Sequence, residues 1–388
     1  MGAREIRILH VITRLDRGGS ALSTLQTAAG LSPRFRQRLV YGRTREFPRL
    51  DPGILQRLDL VELPQLVREP APVKDLGALV QLYRLIRGSR VDLVHTHTSK
   101  AGILGRLAAR LAGVPHIVHT PHGHYFVGGY AGRALTHLFV RLERWAARFT
   151  DRIIGLTEQE IRDHVARGIG RPEQFVVIPS GIALPEFGTT ADAPALRAAL
   201  GLPASATVVG AVGRLEPIKG HRYLLEAVGR LAPRCPGLHL ALVGDGELLA
   251  ELRRAAEHAG LAGRAHFLGW REDVPAVLHA FDLFALPSLN EGMGRALVEA
   301  MAAGLPIVAS AAGGVPEVLA GGAAGLLVPP ADAEALARAI ETLLADPALR
   351  ARLGAAARER AGRYTVEASL RTLEALYDEL LGFGGDGG

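Results

Sequence analysis

Hydrophobic residues along the chain fall into short continuous runs that alternate with stretches of helical periodicity. The runs are typical of strands that are buried on both faces, and the stretches between them are typical of amphipathic helices. This alternation predicts parallel β-sheets that are covered by helices on both faces. The predicted strands are residues 6–12, 91–95, 116–119, 152–156, 175–179, 207–213, 238–244, 265–269, 282–287 and 306–310.

The length of the chain, 388 residues, predicts two domains. Residues 184–194 lack periodicity and contain two prolines, so they are predicted to form an interdomain linker. We therefore predict an α/β protein with two doubly wound, Rossmann-like domains, residues 1–185 and residues 186–365, that face a cleft. The last helix, about residues 366–382, could pack back on the first domain. In open parallel sheets, ligands bind at the carboxyl ends of the strands.

Composition limits the class of protein. The apolar share of 48% is enough for two packed cores, and the single cysteine, Cys235, rules out a disulfide bond within the chain. Charged residues interrupt the first apolar run, which is not typical of a signal peptide. Glycine and proline break the longest uncharged stretch, residues 300–316, which is too short for a transmembrane helix. We expect a soluble, cytoplasmic protein, with possible peripheral contact with the inner face of the plasma membrane.

Charge is distributed unevenly along the chain. Residues 1–185 contain 27 Lys and Arg against 15 Asp and Glu, a net charge of +12, whereas the rest contains 18 against 24, a net charge of −6. A basic first half indicates contact with phosphates or an anionic membrane surface. The basic segments 34–49 and 134–152 could lie on such a surface; the alternative is that their apolar residues belong to the core. A nucleic-acid partner is not expected.

Residues 290–310 contain two glutamates, Glu291 and Glu299, on either side of a predicted helix start near Gly294. Glycines there let backbone amides approach a ligand, and a helix N-terminus attracts phosphate. Glu299 would lie roughly 8 Å along the helix, where it can accept hydrogen bonds from a ribose diol. Glu291 can accept them from a sugar hydroxyl, so a nucleotide-sugar fits this spacing. Alternatively, Glu291 only complements the helix dipole and Glu299 is solvated.

Two cations, Arg214 and Lys219, follow the strand 207–213 in a strand-to-helix turn. Both can reach a diphosphate and stabilise its charge as a leaving group without a metal ion. The alternative is a surface turn with unrelated charges, although Lys219 is one of only three lysines in the chain. Gly18 and Gly19 precede another predicted helix and could add backbone amides for a phosphate; a plain turn explains them equally well.

Histidines are concentrated in residues 95–100 and 118–126. His-x-His spacing is found in metal sites. No acidic partner accompanies these histidines, however, and the sequence contains no Asp-x-Asp, so no metal ion is expected. His122, which Gly123 follows, is interpreted as a hydrogen-bond donor to a substrate.

These motifs together resemble the family 4 glycosyltransferases of the GT-B fold, over residues 7 to about 380. The motifs that carry the resemblance are EGMGRALVE (291–299), GRLEPIKG (213–220), HTPHGH (119–124), VGDGE (243–247) and IPSGI (178–182). The segments TRLDRGGSA (13–21), HTHTSKAG (95–102) and HTPHGHYF (119–126) resemble those of the subgroup that assembles bacterial surface polysaccharides or glycolipids.

The resemblance implies a reaction and a set of site residues. The implied reaction transfers a sugar, with retention and without a metal ion or cofactor, from a nucleotide diphosphate sugar (UDP is expected) to a glycan or a polyprenyl-diphosphate-linked acceptor. The implied catalytic residues are His122, Arg214, Lys219 and Glu291. The implied donor-binding residues are Gly18, Gly19, Asp245, Gly246, Trp270, Arg271, Gly292, Met293, Gly294, Arg295, Leu297 and Glu299. The residues expected near the acceptor or the sugar are Thr98, Lys100 and His124.

Three other functions compete with glycosyl transfer. A nucleotide-sugar epimerase of the same fold would need no acceptor, and the two glutamates argue against it. A non-catalytic nucleotide-sugar sensor would not need Arg214, Lys219 and both glutamates. A dinucleotide oxidoreductase is disfavoured because no Gly-x-Gly-x-x-Gly motif follows any predicted strand.

Overall fold

The computed structural model describes residues 5–44, 46–47, 53, 56–123, 132–187 and 193–383. The chain divides into two compact units. The first unit is Met1–Gly181 together with Val366–Gly388, and the second unit is Ile182–Thr365. Each unit contains one parallel β-sheet with helices packed against it.

The sheet of the first unit has seven strands in the order β3-β2-β1-β4-β5-β6-β7. The strands are β1 (Ile6–Ile12), β2 (Phe35–Gly42), β3 (Asp59–Leu63), β4 (Leu93–His97), β5 (His116–Thr120), β6 (Arg152–Gly155) and β7 (Phe175–Val177). The helices are α1 (Gly19–Gly30), α2 (Pro72–Ser89), α3 (Ser99–Ala112), α4 (Arg133–Ala147), α5 (Glu158–Ala166) and, from the end of the chain, α14 (Val366–Leu381).

Helix α14 returns to the first unit and covers one face of its sheet. Leu373, Leu376 and Tyr377 are buried against Ile6 and Ile8 of β1. The opposite face is covered by α2 and α3, whose apolar residues pack on β1 and β4. The central strands are therefore buried on both faces, as their nearly continuous apolar sequences predict.

The sheet of the second unit has six strands in the order β10-β9-β8-β11-β12-β13. The strands are β8 (Thr207–Val212), β9 (Leu238–Val243), β10 (Ala265–Phe267), β11 (Leu283–Leu286), β12 (Ile307–Ser310) and β13 (Leu326–Val328). The helices are α6 (Ala193–Ala199), α7 (His221–Leu231), α8 (Leu249–His258), α9 (Val274–Leu278), α10 (Arg295–Ala302), α11 (Val315–Val318), α12 (Ala333–Ala345) and α13 (Pro347–Ala361). Aspartates cap α12 and α13, where Asp332 and Asp346 accept hydrogen bonds from first-turn amides at 2.8 Å.

The structure confirms all ten predicted strands as elements and adds three, β2, β3 and β13. Residues 34–49, considered for a membrane surface, contain strand β2, whose Phe35, Leu39 and Val40 are buried in the sheet. The apolar residues of this strand therefore belong to the core, which was the alternative interpretation.

The segment 184–194 is more ordered than a linker requires. It contains a 3-10 turn, Leu184–Phe187, and Phe187 is buried in the second unit. Helix α6 begins at Ala193, within the same segment, and residues 188–192 lie outside the described residues. The prolines that suggested a linker thus belong partly to packed turns. In the described part of the chain, no helix is both long enough and apolar enough to cross a bilayer.

A buried ion pair connects two helices of the first unit. The guanidinium group of Arg106 on α3 donates to the carboxylate of Glu143 on α4, and both side chains are almost fully buried. Arg106 also donates to the carbonyl of Gly102 at 2.8 Å. Removing one member of such a pair leaves an uncompensated charge in a medium of low polarity.

We expect Glu143→Ala to lower the free energy of unfolding of the first unit by about 3–5 kcal/mol, because it leaves Arg106 buried without its counter-ion. Glu379→Ala is the matched control. It removes a glutamate that pairs with Arg152 at 2.5 Å but is 60% exposed, and it should cost less than about 1 kcal/mol. Urea unfolding measures both values. Equal losses in the two variants would contradict the importance of the buried pair.

Candidate functional site

Four loops of the second unit meet at one edge of its sheet, because they follow the carboxyl ends of four adjacent strands in the order β10-β9-β8-β11. Three backbone hydrogen bonds connect them. The amide of Leu289 donates to Ile218 at 2.8 Å, and that of Leu215 donates to Asp245 at 2.9 Å. The third runs from the loop after β9 to the loop after β10 over 2.8 Å. Predicted site residues from four separate parts of the sequence therefore share one edge.

Lys219 and Glu291 form an ion pair at this edge. The ammonium group of Lys219 lies 2.7 Å from Oε1 of Glu291, and the hydroxyl of Ser288 donates to the same oxygen at 2.8 Å. Glu291 is 8% exposed, whereas the side chain of Lys219 remains 27% exposed. The carboxylate is thus held in place while the cation keeps contact with solvent.

The backbone around Glu291 is fixed by its contact with the loop after β12. The amide of Gly314 donates to the carbonyl of Glu291 at 3.0 Å. Gly313 has a φ of +55°, and a Cβ atom at this position would lie 2.0 Å from the Glu291 carbonyl oxygen. Only glycine fits there, so the position of Glu291 depends on this close approach.

Helix α10 begins immediately after this loop, with Gly294 as its N-cap at a φ of +81°. Among the described residues, no side chain caps the helix, and its first amides therefore form a favourable site for an anion. Met293 and Leu297 are buried and anchor the helix start. Gly292 lies in the loop before them.

Glu299, one turn along α10, pairs with Arg295 at 2.9 Å. Burial raises the pKa of Glu299 above its usual range, and the charge of Arg295 opposes this shift. The pair places a hydrogen-bond acceptor beside the helix start.

The other predicted residues of the second unit surround the same edge. Arg214 follows β8 and pairs with Glu216 at 2.9 Å. Asp245 follows β9 and accepts a hydrogen bond from the amide of Gly246 at 2.7 Å. Arg271, after β10, makes two contacts with Asp273, at 2.8 and 2.6 Å. Its neighbour Trp270 is 38% exposed, which leaves part of the indole ring accessible.

In the first unit, predicted residues also follow the carboxyl ends of adjacent strands. Gly18 is the N-cap of α1, which begins at Gly19 after β1. Thr98 follows β4 with a φ of +63°, and its hydroxyl contacts that of Thr13 at 2.8 Å. Lys100 pairs with Asp75 of α2 at 2.5 Å. The charge of Lys100 is therefore already engaged in an ion pair within the unit.

His122 follows β5 in the left-handed region, with a φ of +58°. This conformation costs on the order of 1–2 kcal/mol for a residue with a Cβ atom. The next amide, that of Gly123, donates to Glu160 at 2.8 Å, and the amide of Leu156 donates to the other carboxylate oxygen at 2.7 Å. Glu160 is fully buried and holds this turn in place. His124 lies outside the described residues.

Buried histidines lie beneath the same edge of the first sheet. His10, His95 and His97 have ring nitrogens within 4.8 Å of one another, close enough for a shared metal ion. Both nitrogens of each ring have a hydrogen-bond partner. His10 contacts Gln37 and His97, and the second nitrogen of His97 contacts His122. His95 contacts Thr120 and Tyr377. We therefore interpret the group as a hydrogen-bond network. Burial lowers the pKa of every one of these histidines, to about 4 for His10.

Several residues of these sites were not predicted from the sequence. Ser288 and Glu160 orient predicted residues but carry no motif of their own. Gln37 lies on β2 and His10 on β1, and a local sequence pattern does not show which strands pair with these two. The sequence contained one signal for the histidine group: His95 and His97 are two positions apart on a strand, so they share one face of the sheet.

Comparison with known proteins gives consistent matches along the chain. A family model described as "Glycosyl transferases group 1" matches residues 192–360, and one described as "Glycosyl transferase 4-like domain" matches residues 18–181. The chain is 39% identical over 252 residues to an Escherichia coli UDP-Gal:alpha-D-GlcNAc-diphosphoundecaprenol alpha-1,3-galactosyltransferase, covering 64% of this chain and 65% of that protein. It is 32% identical over 382 residues to a Streptomyces fradiae 2-deoxystreptamine N-acetyl-D-glucosaminyltransferase, covering 92% and 90%.

A solved structure of a related protein also matches the chain over most of its length. The crystal structure of Anabaena HepE in complex with UDP and glucose matches with a TM-score of 0.82 and 26% identity, and the match covers 96% of this chain and all of that one.

The buried carboxyl of Glu160 makes stability depend on pH. Burial raises its pKa from the ordinary 4.5 to about 7, although two amides oppose the shift. Between these values the folded state binds more protons than the unfolded state, so the free energy of unfolding falls as pH rises. Glu160→Gln should flatten this dependence by up to about 1.4 kcal/mol per pH unit, the value for one proton. Urea unfolding at pH 5 and pH 7 measures it.

Glu158→Gln is the matched control for this prediction. Glu158 lies two positions earlier on the same helix and is exposed. This variant should keep the wild-type dependence on pH. If Glu160→Gln also kept it, the assigned ionisation of Glu160 would be wrong.

Proposed function

The chain belongs to the group 1 and 4-like glycosyltransferases and has the GT-B fold, and from this premise we propose that it transfers a sugar from a UDP-sugar to a hydroxyl of a glycan or lipid-linked acceptor. The proposed reaction retains the anomeric configuration and belongs to cell-surface polysaccharide synthesis. UDP is supported by the bound ligands of HepE. The acceptor class is supported by the Escherichia coli galactosyltransferase, whose acceptor is alpha-D-GlcNAc-diphosphoundecaprenol.

The observation that carries the proposal is the ion pair between Lys219 and Glu291 next to the uncapped start of α10. The helix start and Lys219 offer positive charge to a diphosphate. Glu291, held by Ser288 at 2.8 Å, offers a carboxylate to a sugar hydroxyl. Glu299, one turn along the helix, offers a second carboxylate to the ribose. A diphosphate with a sugar on one side and a ribose on the other matches this order of charges.

In the proposed mechanism, these residues stabilise a leaving diphosphate. The bond between the anomeric carbon and the diphosphate oxygen breaks, and negative charge develops on that oxygen. Lys219, Arg214 and the first amides of α10 stabilise this charge. The lysine already lies 2.7 Å from Glu291, so a bound diphosphate would share a cation that the protein holds in position.

Retention requires the acceptor hydroxyl to attack the face from which the diphosphate departs. The new bond joins the acceptor oxygen to the anomeric carbon, through an oxocarbenium-like transition state. The acceptor proton passes to the departing diphosphate oxygen. We assign Glu291 to sugar binding. Lys219 and Ser288 both engage its Oε1, so the carboxylate is held in a fixed orientation toward a sugar hydroxyl. The scheme needs no metal ion or cofactor.

We also propose that α4 contacts an anionic membrane surface, which would bring a peripheral cytoplasmic enzyme to a lipid-linked acceptor. Leu138 and Trp145 of α4 are 51% and 39% exposed. Arg141 and Arg148 lie on the same segment. Apolar and basic side chains together favour binding at a lipid interface. Co-sedimentation with phosphatidylglycerol vesicles at low salt should fall for Leu138→Glu, and equal sedimentation of the variant would contradict the proposal.

The reaction class can be tested directly with radiolabelled UDP-sugars. Transfer predicts UDP release that depends on an acceptor, such as a polyprenyl-diphosphate-linked N-acetylglucosamine. Interconversion of the sugar without acceptor would instead indicate an epimerase. The anomeric configuration of the product, read by NMR coupling constants, tests retention. Unchanged turnover in EDTA tests the metal-free scheme.

A thermal-shift screen against nucleotide-sugars should identify the donor. A ligand present at 100 times its dissociation constant stabilises the folded protein by about 2.7 kcal/mol. We expect the largest shift with a UDP-sugar and a smaller one in Glu299→Gln, which weakens ribose binding. A larger shift with GDP- or ADP-sugars would show that the donor assignment is wrong.

Lys219→Ala and Glu291→Ala should each lower turnover by about 100-fold or more, comparable with the loss of one oxyanion-stabilising donor. Lys74→Ala is the control, because Lys74 is exposed on α2 and is one of only three lysines. Turnover is measured as UDP release, with circular dichroism to verify folding. Near-wild-type turnover in a folded Lys219→Ala or Glu291→Ala protein would refute the assigned roles.

A further inference from the structure

A continuous chain of buried and partly buried hydrogen bonds leads to His122 across the first sheet. Oε1 of Gln37 on β2 lies 2.8 Å from Nε2 of His10 on β1. Nδ1 of His10 lies 3.0 Å from Nε2 of His97 on β4, and Nδ1 of His97 lies 3.0 Å from Nε2 of His122 after β5. The chain thus crosses four adjacent strands, and Gln37, His10 and His97 are all at least nine-tenths buried.

The orientation of Gln37 sets the direction of every bond in this chain. Nε2 of Gln37 donates to the carbonyl of Phe35 at 3.2 Å, so its Oε1 faces His10 and must accept a proton. Nε2 of His10 therefore carries a hydrogen. A neutral imidazole has one donor and one acceptor, so Nδ1 of His10 accepts from Nε2 of His97. By the same step, Nδ1 of His97 accepts from Nε2 of His122.

We propose that Gln37, His10 and His97 are positioning residues that hold His122 in the tautomer with the hydrogen on Nε2 and the lone pair on Nδ1. No described residue bonds Nδ1 of His122. On the proposed function, and with the substrate contact that the sequence predicts for His122, Nδ1 accepts a hydrogen bond from a substrate hydroxyl. This polarity is opposite to the donor role that the sequence suggested for His122.

Burial keeps the imidazole rings of this hydrogen-bond chain neutral. It lowers the pKa of His10 and His122 to about 4 and also lowers the pKa of His97, so none of these rings carries a charge near pH 7. A protonated ring would have two donors and would reverse or break the direction of the chain. The amide of Gln37 cannot take up a proton, so the chain orients His122 and does not conduct protons away from it.

The tautomer can be read directly in ligand-free protein at pH 7. Histidines labelled with ¹⁵N are observed by long-range ¹H–¹⁵N NMR, where protonated and unprotonated ring nitrogens have well-separated frequencies. His122→Gln assigns the signal of His122. We expect hydrogen on Nε2 of His122, His97 and His10. Hydrogen on Nδ1 of His122 in the wild-type protein would overturn the proposal.

Gln37→Leu removes the acceptor at the end of the chain. The two directions of the chain then become similar in energy, and we expect both tautomers of His122 to be populated. His95→Gln is the matched control. His95 is as buried as His97 but bonds Tyr377 and Thr120 instead, so this variant should leave the tautomer unchanged. An unchanged tautomer in Gln37→Leu would overturn the proposal.

Activity and metal content complete the test. Gln37→Leu should lower kcat/KM for the UDP-sugar by about 2- to 10-fold, the range expected for one misdirected hydrogen bond between neutral groups. Stoichiometric Zn²⁺ in the purified protein, with the ring signals of His10, His95 and His97 shifted by its removal, would overturn the proposal in favour of a metal site. The tautomer is read without substrate, so it decides this proposal even if the protein transfers no sugar.

Discussion

Parallel strand pairing is the constraint on which the rest of the structure depends. Every strand pair in both sheets is parallel. Each strand therefore needs a crossover before the next one, and all carboxyl ends of a sheet lie along one edge. In the second unit this edge collects the loops after β8, β9, β10 and β11, and backbone hydrogen bonds connect them. The proposed diphosphate site, which is assembled from distant residues, is a direct consequence of this topology.

The two units place different kinds of polar group at the carboxyl edges of their sheets. The second unit keeps a cation, Lys219, in contact with a buried carboxylate, and the pair remains accessible enough to meet an anionic ligand. The first unit buries the neutral imidazoles of His10, His95 and His97, which are tolerated because each of their ring nitrogens finds a partner. Fully satisfied polar networks of this kind specify one arrangement of the core. On our proposal, they also make the tautomer of His122 depend on residues several strands away.

The strand prediction succeeded where apolar residues form an uninterrupted run, which includes the edge strands β7 and β10. Strands in the middle of the sheets, such as β1, β4, β8 and β11, are covered on both faces and have nearly continuous apolar sequences. The three strands that were missed lie at or next to an edge. β2 alternates arginines with buried residues, β3 is largely accessible, and β13 has three residues. Partial solvent exposure admits charged residues, and these obscure a strand pattern.

The sequence alone determined the fold class, the start of α10 and the presence of a glutamate on either side of that start, because these features depend on residues that are close together in the chain. Apolar periodicity, glycine before a helix and the order of charges are all local. The contact of Lys219 with Glu291, 72 positions away, and the chain from Gln37 to His122 were decided only by the tertiary structure. Such contacts depend on strand order, strand register and the direction of each side chain, and no local pattern encodes these three together.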